Sequence, residues 1–202
     1  MGYHRAGFDV IGIDRNPMPD YPFQFIQADA VDVASWPLRF DAIHASPPCQ
    51  VFSTVTPNRH EHVNLIAVIR DRLFASGVPY VIENVAAARP HLRNPVMLCG
   101  SSFRLHLRRH RLFETNWPCA GKRCMHEWQQ PRFRSLNNSM RTKKLSSVVG
   151  VHGNLQYEGE LRLRQIAMGI DWLPTHPLSK AIPPAYTEHI GRQLLRRLQA
   201  SP

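Results

Sequence analysis

The chain has 202 residues, with 25 Lys and Arg against 15 Asp and Glu, for a net charge of +10. That length suits a single domain with a sizeable core, and a hydrophobic fraction of 43% argues against a disordered composition. No apolar run is long enough for a membrane span, and no charged-then-apolar leader opens the chain, so a cytoplasmic location and free thiols are expected.

Residues 9–14 read as a short strand ending in Asp14, and residues 23–29 as another ending in Asp29. Residues 40–45 make a third, followed by Pro47-Pro48-Cys49-Gln50. Each proline fixes φ near about −65° and removes a backbone donor. The residue before a proline is driven out of the helical region. The strand therefore stops at Ser46, and Cys49 is held on a stiff loop, as a nucleophile would be mounted. Residues 61–76 place Val63, Ile66, Ile69, Leu73 and Phe74 at a helical period, with Gly77 as the stop. Residues 79–83 read as a fourth strand running into Glu83-Asn84-Val85, and 96–99 and 110–114 as further strands.

Strands alternating with a helix predict an α/β fold with a mostly parallel, doubly wound sheet. Ligands in such sheets bind at the carboxyl ends of the strands. Asp14, Asp29, Cys49 and Glu83 all fall at or just after predicted strand ends. Arg109 and Arg111 alternate, so an extended backbone turns both to one face.

Cations cluster twice. Residues 104–111 hold Arg104, Arg108, Arg109 and Arg111, and residues 132–144 hold Arg132, Arg134, Arg141, Lys143 and Lys144. Such clustering is the footprint of a polyanionic partner, most simply nucleic acid. Residues 115–147 are otherwise irregular, rich in Pro, Asn, Ser and cations, and read as a small insert of about 45 residues over 115–160. Within it, Cys119, Cys124 and His126 form a Cys-x4-Cys-x-His cluster. A structural zinc site needs four ligands, with His110 or His152 as the candidate fourth, so the sequence alone yields no complete metal set. Residues 148–151 suggest a return to strand and 160–168 a helix. Residues 185–199 suggest a final helix with Ile190, Leu194, Leu195 and Leu198 as its buried stripe.

Pro47-Pro48-Cys49-Gln50, Glu83-Asn84-Val85 and Arg109-His110-Arg111, in this order, resemble motifs of the DNA (cytosine-5) methyltransferase family, in particular its compact phage-type members. Residues 161–173 look like that family's penultimate motif, and Ile182-Pro183-Pro184 like its last. The resemblance implies a Rossmann-like fold that binds S-adenosylmethionine and a reaction on DNA. Carbon 5 of cytosine is a poor nucleophile, and thiolate addition at carbon 6 converts it into an enamine carbon. By resemblance Cys49 is that thiolate, Glu83 the partner of ring N3, and Arg109 and Arg111 the supporting pair. Asp14 would take the donor's ribose hydroxyls, Asp29 its adenine amino group, and Pro48 would line the methyl pocket. The target base would have to be flipped from the duplex at a cost of about a few kcal/mol, with Arg132, Arg134, Lys143 and Lys144 contacting phosphates.

Two departures from the family pattern are visible. The first strand and its glycine-rich turn are missing, and Met1–Phe8 looks like the helix that follows them. Loss of a central strand is expected to expose two sheet edges. The insert is also far smaller than a typical target-recognition domain, which implies a short or relaxed recognition sequence. A donor-deficient DNA-binding remnant, or another pyrimidine-modifying enzyme using the same thiolate addition, are the alternatives.

Overall fold

In the computed structural model, residues 1–29, 31, 39–53, 56, 58–129, 148–151 and 160–200 are described. Six strands run through them: β1 (Ile11–Asp14), β2 (Gln24–Gln27), β3 (Ile43–Ala45), β4 (Tyr80–Val85), β5 (Val96–Leu98) and β6 (Arg111–Thr115). The helices are α1 (Gly2–Arg5), α2 (Ile66–Ala75), α3 (Glu160–Met168), α4 (Thr175–Lys180) and α5 (Pro184–Ala200).

The strands make two sheets. β1 and β2 pair in parallel, and the second sheet has the order β3-β4-β6-β5. β3 runs parallel to β4, whereas β6 is antiparallel to both β4 and β5. This corrects the expected single, mostly parallel sheet. The reason lies in the connections. A parallel pair needs a crossover of about a dozen residues or more, usually a helix. Residues 86–95 and 99–110 hold only short 3-10 turns, so the chain doubles back. Residues 148–151 are not a strand either; the Val149 amide donates to the His106 carbonyl at 2.6 Å.

β4 occupies an interior position in its sheet and is buried along nearly its whole length. Successive residues of a strand face opposite ways, and two cores result. Tyr80 and Ile82 of β4 and Leu112 of β6 pack with Ile66, Ile69 and Leu73 of α2. Val81 of β4 and Phe113 of β6 pack with Tyr186, Ile190 and Leu194 of α5. The arrangement is helix, sheet, helix. Helix α2 starts at Ile66, where the Asn64 side chain accepts the Ile66 amide at 3.0 Å. Val63 and Phe74, expected on its buried stripe, are 70% and 75% exposed.

Pro184 opens α5, where its missing N–H has no partner to lose. Helix α1 lies hard against α5. A Cβ on Gly191 would sit 2.8 Å from Ala6 Cβ, and one on Gly2 would overlap Thr187 and the Pro184 carbonyl. A third cluster joins α3, α4 and the 105–107 segment through Met168, Leu178, Leu107, Ile170 and Val151.

One polar contact crosses the α2 layer. Arg70 of α2 reaches Glu114 of β6 with Nε to Oε1 at 2.6 Å and Nη2 to Oε2 at 2.7 Å. The Arg93 amide adds a third donor at 2.7 Å, and Arg70 Nη2 also donates to the His91 carbonyl. Removing one partner of a buried pair strands the other charge, at a cost of about 3–5 kcal/mol. Arg70→Met is therefore expected to lose about that much unfolding free energy in urea titration. The double variant Arg70→Met with Glu114→Leu should recover a substantial part of the loss.

Candidate active site

The stiff Pro47-Pro48 loop is fastened to β4 from both of the strand's faces. Asn84 Nδ2 donates to the Pro47 carbonyl at 3.0 Å in a buried contact. The Ser46 hydroxyl lies beside the Glu83 carboxyl, where it favours the ionised form. The fastening follows from register: Ala45 of β3 lies beside Ile82 of β4, so the next residue of each strand brings Ser46 to Glu83. Pro47 is buried and Pro48 exposed, and Cys49, half-buried, sits at the head of a 3-10 turn over Gln50–Phe52 with φ −96° and ψ 0°.

Glu83 is only 6% exposed. Its place was expected at a strand end, but β4 continues through Val85, so Glu83 lies within the ladder. Glu83 faces Phe113 across the antiparallel pair and Val85 faces Arg111, which places Arg111 diagonally on the same face as Glu83. Arg111 Nε meets Glu83 Oε1 at 2.9 Å. Burial raises the Glu83 pKa above the ordinary carboxylate value, against the opposing pull of Arg111, the Ser46 hydroxyl and Arg109. The outcome is a carboxyl that holds its proton more readily than one in water, next to a cysteine loop.

Arg109 is placed differently from its expected role as a direct partner. Its Nη1 donates to the Val151 carbonyl at 3.0 Å and its Nη2 to the Ser179 carbonyl at 2.6 Å. Its link to Glu83 and Cys49 is through-space attraction. Desolvation, with the repulsion of Arg111, lowers its pKa to about 10. Arg109 Nε is buried without a hydrogen-bond partner among the described residues. Tyr186 of α5 donates its hydroxyl to the Arg109 carbonyl at 2.6 Å, which ties the segment after Ile182-Pro183-Pro184 to this pair.

His44 was not expected here. Tyr3 of α1 lies 2.7 Å from His44 Nδ1, and His44 Nε2 lies 3.2 Å from Ser46 Oγ. His44 thus links Tyr3 of α1 to Ser46 of the cysteine loop, beside Glu83. Burial depresses the His44 pKa to about 4 and keeps the ring neutral. The sequence signal was slight: a lone histidine in an apolar strand.

Asp14 is the last residue of β1 and Asp29 lies just past the carboxyl end of β2, both exposed. Asp14 Oδ1 accepts the Asn16 amide at 2.8 Å, and Asp29 Oδ1 the Val31 amide at 2.9 Å. The second oxygen of each has no hydrogen bond among the described residues. The two acids belong to one sheet and Cys49, Glu83 and Arg111 to the other. Helix α1 touches both, since Tyr3 reaches His44 and the His4 ring packs 4.9 Å from Phe23. Arg132, Arg134, Lys143 and Lys144 lie outside the described residues, as does His152.

Cys119 stands apart from Cys124. It packs against the α5 core, where burial raises its pKa to about 11. Cys124 and His126 instead converge with His110 and Cys99. All four cysteines are free. A separate cavity of about 470 Å3, lined by Asn94, Thr115 and Trp117, lies at the far end of β6 and holds none of the candidate residues except Cys119. No helix of the described residues is long and apolar enough to cross a membrane.

No family model and no curated protein matches the chain. Among solved structures, one match is a protein provisionally described as a DNA modification methyltransferase encoded within a prophage of E. coli. The two share 14% identity with a TM-score of 0.58, over 98% of this chain and 95% of that one. At that identity the likeness is one of fold, an α/β arrangement shared with that protein along nearly the whole of both chains.

The neutral His44 gives a pH signature. An unfolded histidine titrates near about 6.5, whereas in the fold it does so near 4. Between these values the unfolded chain binds the extra proton, so stability is lost as pH falls through the window. His44→Gln is expected to flatten that acid limb, by up to about 3 kcal/mol, in urea titrations compared between pH 7 and pH 4.

Proposed function

We propose that the chain is a methyltransferase that acts on carbon 5 of cytosine in DNA, with S-adenosylmethionine as methyl donor and Cys49 as nucleophile. The observation that carries this reading is the fastening of the cysteine loop to β4 beside a buried, proton-retaining carboxyl. The Pro47 carbonyl is hydrogen-bonded to Asn84 and Ser46 lies beside Glu83, and Arg111 closes on Glu83 from the next strand. The shared fold with a protein described as a DNA modification methyltransferase supports it, as does the net charge of +10.

In this reading Cys49 acts as thiolate, the reactive form of cysteine. Its sulfur bonds to carbon 6 of the cytosine, and the ring's electron pair moves toward carbon 5 while charge builds at N3. Glu83 gives its proton to N3. Its raised pKa suits it to this general-acid step. Arg111 then holds the carboxylate that is left, and Ser46 orients it with His44 and Tyr3 behind. Arg109 stays cationic beside the developing charge. Once carbon 5 carries its methyl group, its proton passes to a water molecule, N3 returns its proton to Glu83, and the electron pair left at carbon 5 restores the 5,6 double bond as the Cys49 thiolate departs.

Asp14 and Asp29 suit the polar end of the donor. Each offers one free carboxylate oxygen at the carboxyl end of a parallel strand, where a ribose diol or an adenine amine would be taken. When bound, S-adenosylmethionine supplies the electrophilic methyl group. Pro48, exposed beside Cys49, is the proposed lining of the methyl pocket. The basic residues Arg132, Arg134, Lys143 and Lys144 are the proposed phosphate contacts.

The test is covalent capture on duplex DNA carrying 5-fluorocytosine, with S-adenosylmethionine present. The wild-type chain is expected to form a complex that survives denaturing electrophoresis. Cys49→Ala should form none while still shifting DNA in a native gel, and Cys119→Ala should behave as wild type. DNA binding without capture in the wild type would instead mark a non-catalytic remnant. Glu83→Gln should lower the methylation rate by about 10²- to 10⁴-fold, the usual worth of a positioned general acid, measured by tritium transfer to DNA.

A further inference from the structure

We propose that Cys99, His110, Cys124 and His126 bind one zinc ion in a closed, structural site. Their four ligand atoms all lie within 4.8 Å of one another. Cys99 Sγ is 3.3 Å from His126 Nε2, and Cys124 Sγ is 3.5 Å from His110 Nε2. Around tetrahedral zinc, with sulfur at about 2.3 Å and nitrogen at about 2.0–2.1 Å, a sulfur and a nitrogen are about 3.5 Å apart. Both cross-pairs already have that separation. The rings of His110 and His126 are steeply inclined, at 76° with centroids 5.2 Å apart, so both present Nε2 without stacking.

Two thiols and two imidazoles form a soft to borderline donor set, which selects zinc over magnesium or calcium. Isolated thiol–imidazole hydrogen bonds would explain either pair. They would not explain why both pairs meet at one point from three stretches of chain. Cys99 follows β5, His110 precedes β6, and Cys124 and His126 come from the loop beyond.

The surroundings hold these ligands in place, as the outer contacts of a metal site do. Ser101 donates its hydroxyl to Cys99 Sγ at 3.3 Å and accepts the Met125 amide at 3.0 Å. One hydroxyl thus orients a sulfur on one segment and fixes the backbone between Cys124 and His126 on another. Ser102 donates to the Arg123 carbonyl at 2.7 Å, and Trp128 Nε1 to the Ser101 carbonyl at 3.0 Å. Cys99 is fully buried and the other three are half-buried. Four protein ligands leave no open position for a substrate, which fits a structural ion. His110 stands between Arg109 and Arg111, so the ion would clamp the entry of β6.

The full-length chain is expressed in zinc-supplemented medium and its metal measured by plasma mass spectrometry. One equivalent of zinc is expected, and Co2+ added to the stripped protein should give the strong visible absorption of a tetrahedral site with thiolate charge transfer. Cys119→Ser should keep both signals. Cys124→Ser should lose zinc and weaken the charge-transfer band. His126→Cys should retain one equivalent with a stronger band, which separates loss of a ligand from loss of the fold. Chelation should lower the melting temperature of the wild type. A wild-type chain that copurifies without zinc and gives no tetrahedral Co2+ spectrum would overturn the proposal. So would retention of zinc by Cys124→Ser together with its loss in Cys119→Ser.

Discussion

A carboxylate in the interior of a sheet must be compensated, and this sheet contains two. Glu83 and Glu114 lie on adjacent strands, one on each face, and both are almost inaccessible to water. Their treatment differs. Glu114 accepts two guanidinium bonds from Arg70 and one backbone amide, and its donors leave it no freedom. Glu83 has one close guanidinium contact and one hydroxyl. The first carboxylate is spent on joining α2 to β6. The second remains under-compensated, and desolvation wins over its partners. An under-compensated buried acid is the usual mark of a working group.

The compensation of Glu83 also dictates where the cysteine loop can be. Pro47 is tied to Asn84 and Ser46 lies beside Glu83, so a shift of the loop would break the first contact and uncover the carboxyl. The loop's rigidity therefore has two sources. The prolines restrict its backbone, and the Glu83-Asn84 pair fixes its orientation. Arg109 works one step further out. Its guanidinium binds the carbonyls of Val151 and of Ser179 in α4, and Tyr186 anchors the arginine's own backbone. The site is thus assembled from β3, β4, β6 and α5, with the strand pairing as its frame.

Much of this was legible in the sequence. The prolines announced the stiff loop, and the strands from Ile11 to Thr115 were visible as short apolar runs. Glu83 and Arg111 were named before their contact was known. What failed did so for identifiable reasons. Strand direction depends on connection length and crossovers, and residues 86–110 carried no periodic pattern to reveal a reversal. Glu83 reads as terminal from the sequence, yet β4 runs on to Val85, with the Asn84 side chain held by the Pro47 carbonyl. Cys99 was passed over as a ligand because it is distant in sequence from Cys124. Cys119, nearer in sequence, points into an apolar core. His44 carried no motif, and only the approach of α1 gives it a partner.

The two sheets make cooperative units of unequal strength. The β3-β4-β6-β5 sheet is covered on both faces and crossed by buried ion pairs. The β1–β2 pair has a single ladder of four residue pairs, and parallel ladders are somewhat weaker per residue than antiparallel ones. Among the described residues α1, a helix of one turn, touches both sheets. Local opening follows such differences. The amides of Ile11–Asp14 and Gln24–Gln27 would exchange with solvent through excursions that leave β4 and β6 closed. Asp14 and Asp29 would thus come and go as a unit while Cys49 and Glu83 stay fixed. A molecule bridging the two acids and the cysteine loop would then act as a staple, and its binding would be felt first as slowed exchange in the weaker sheet.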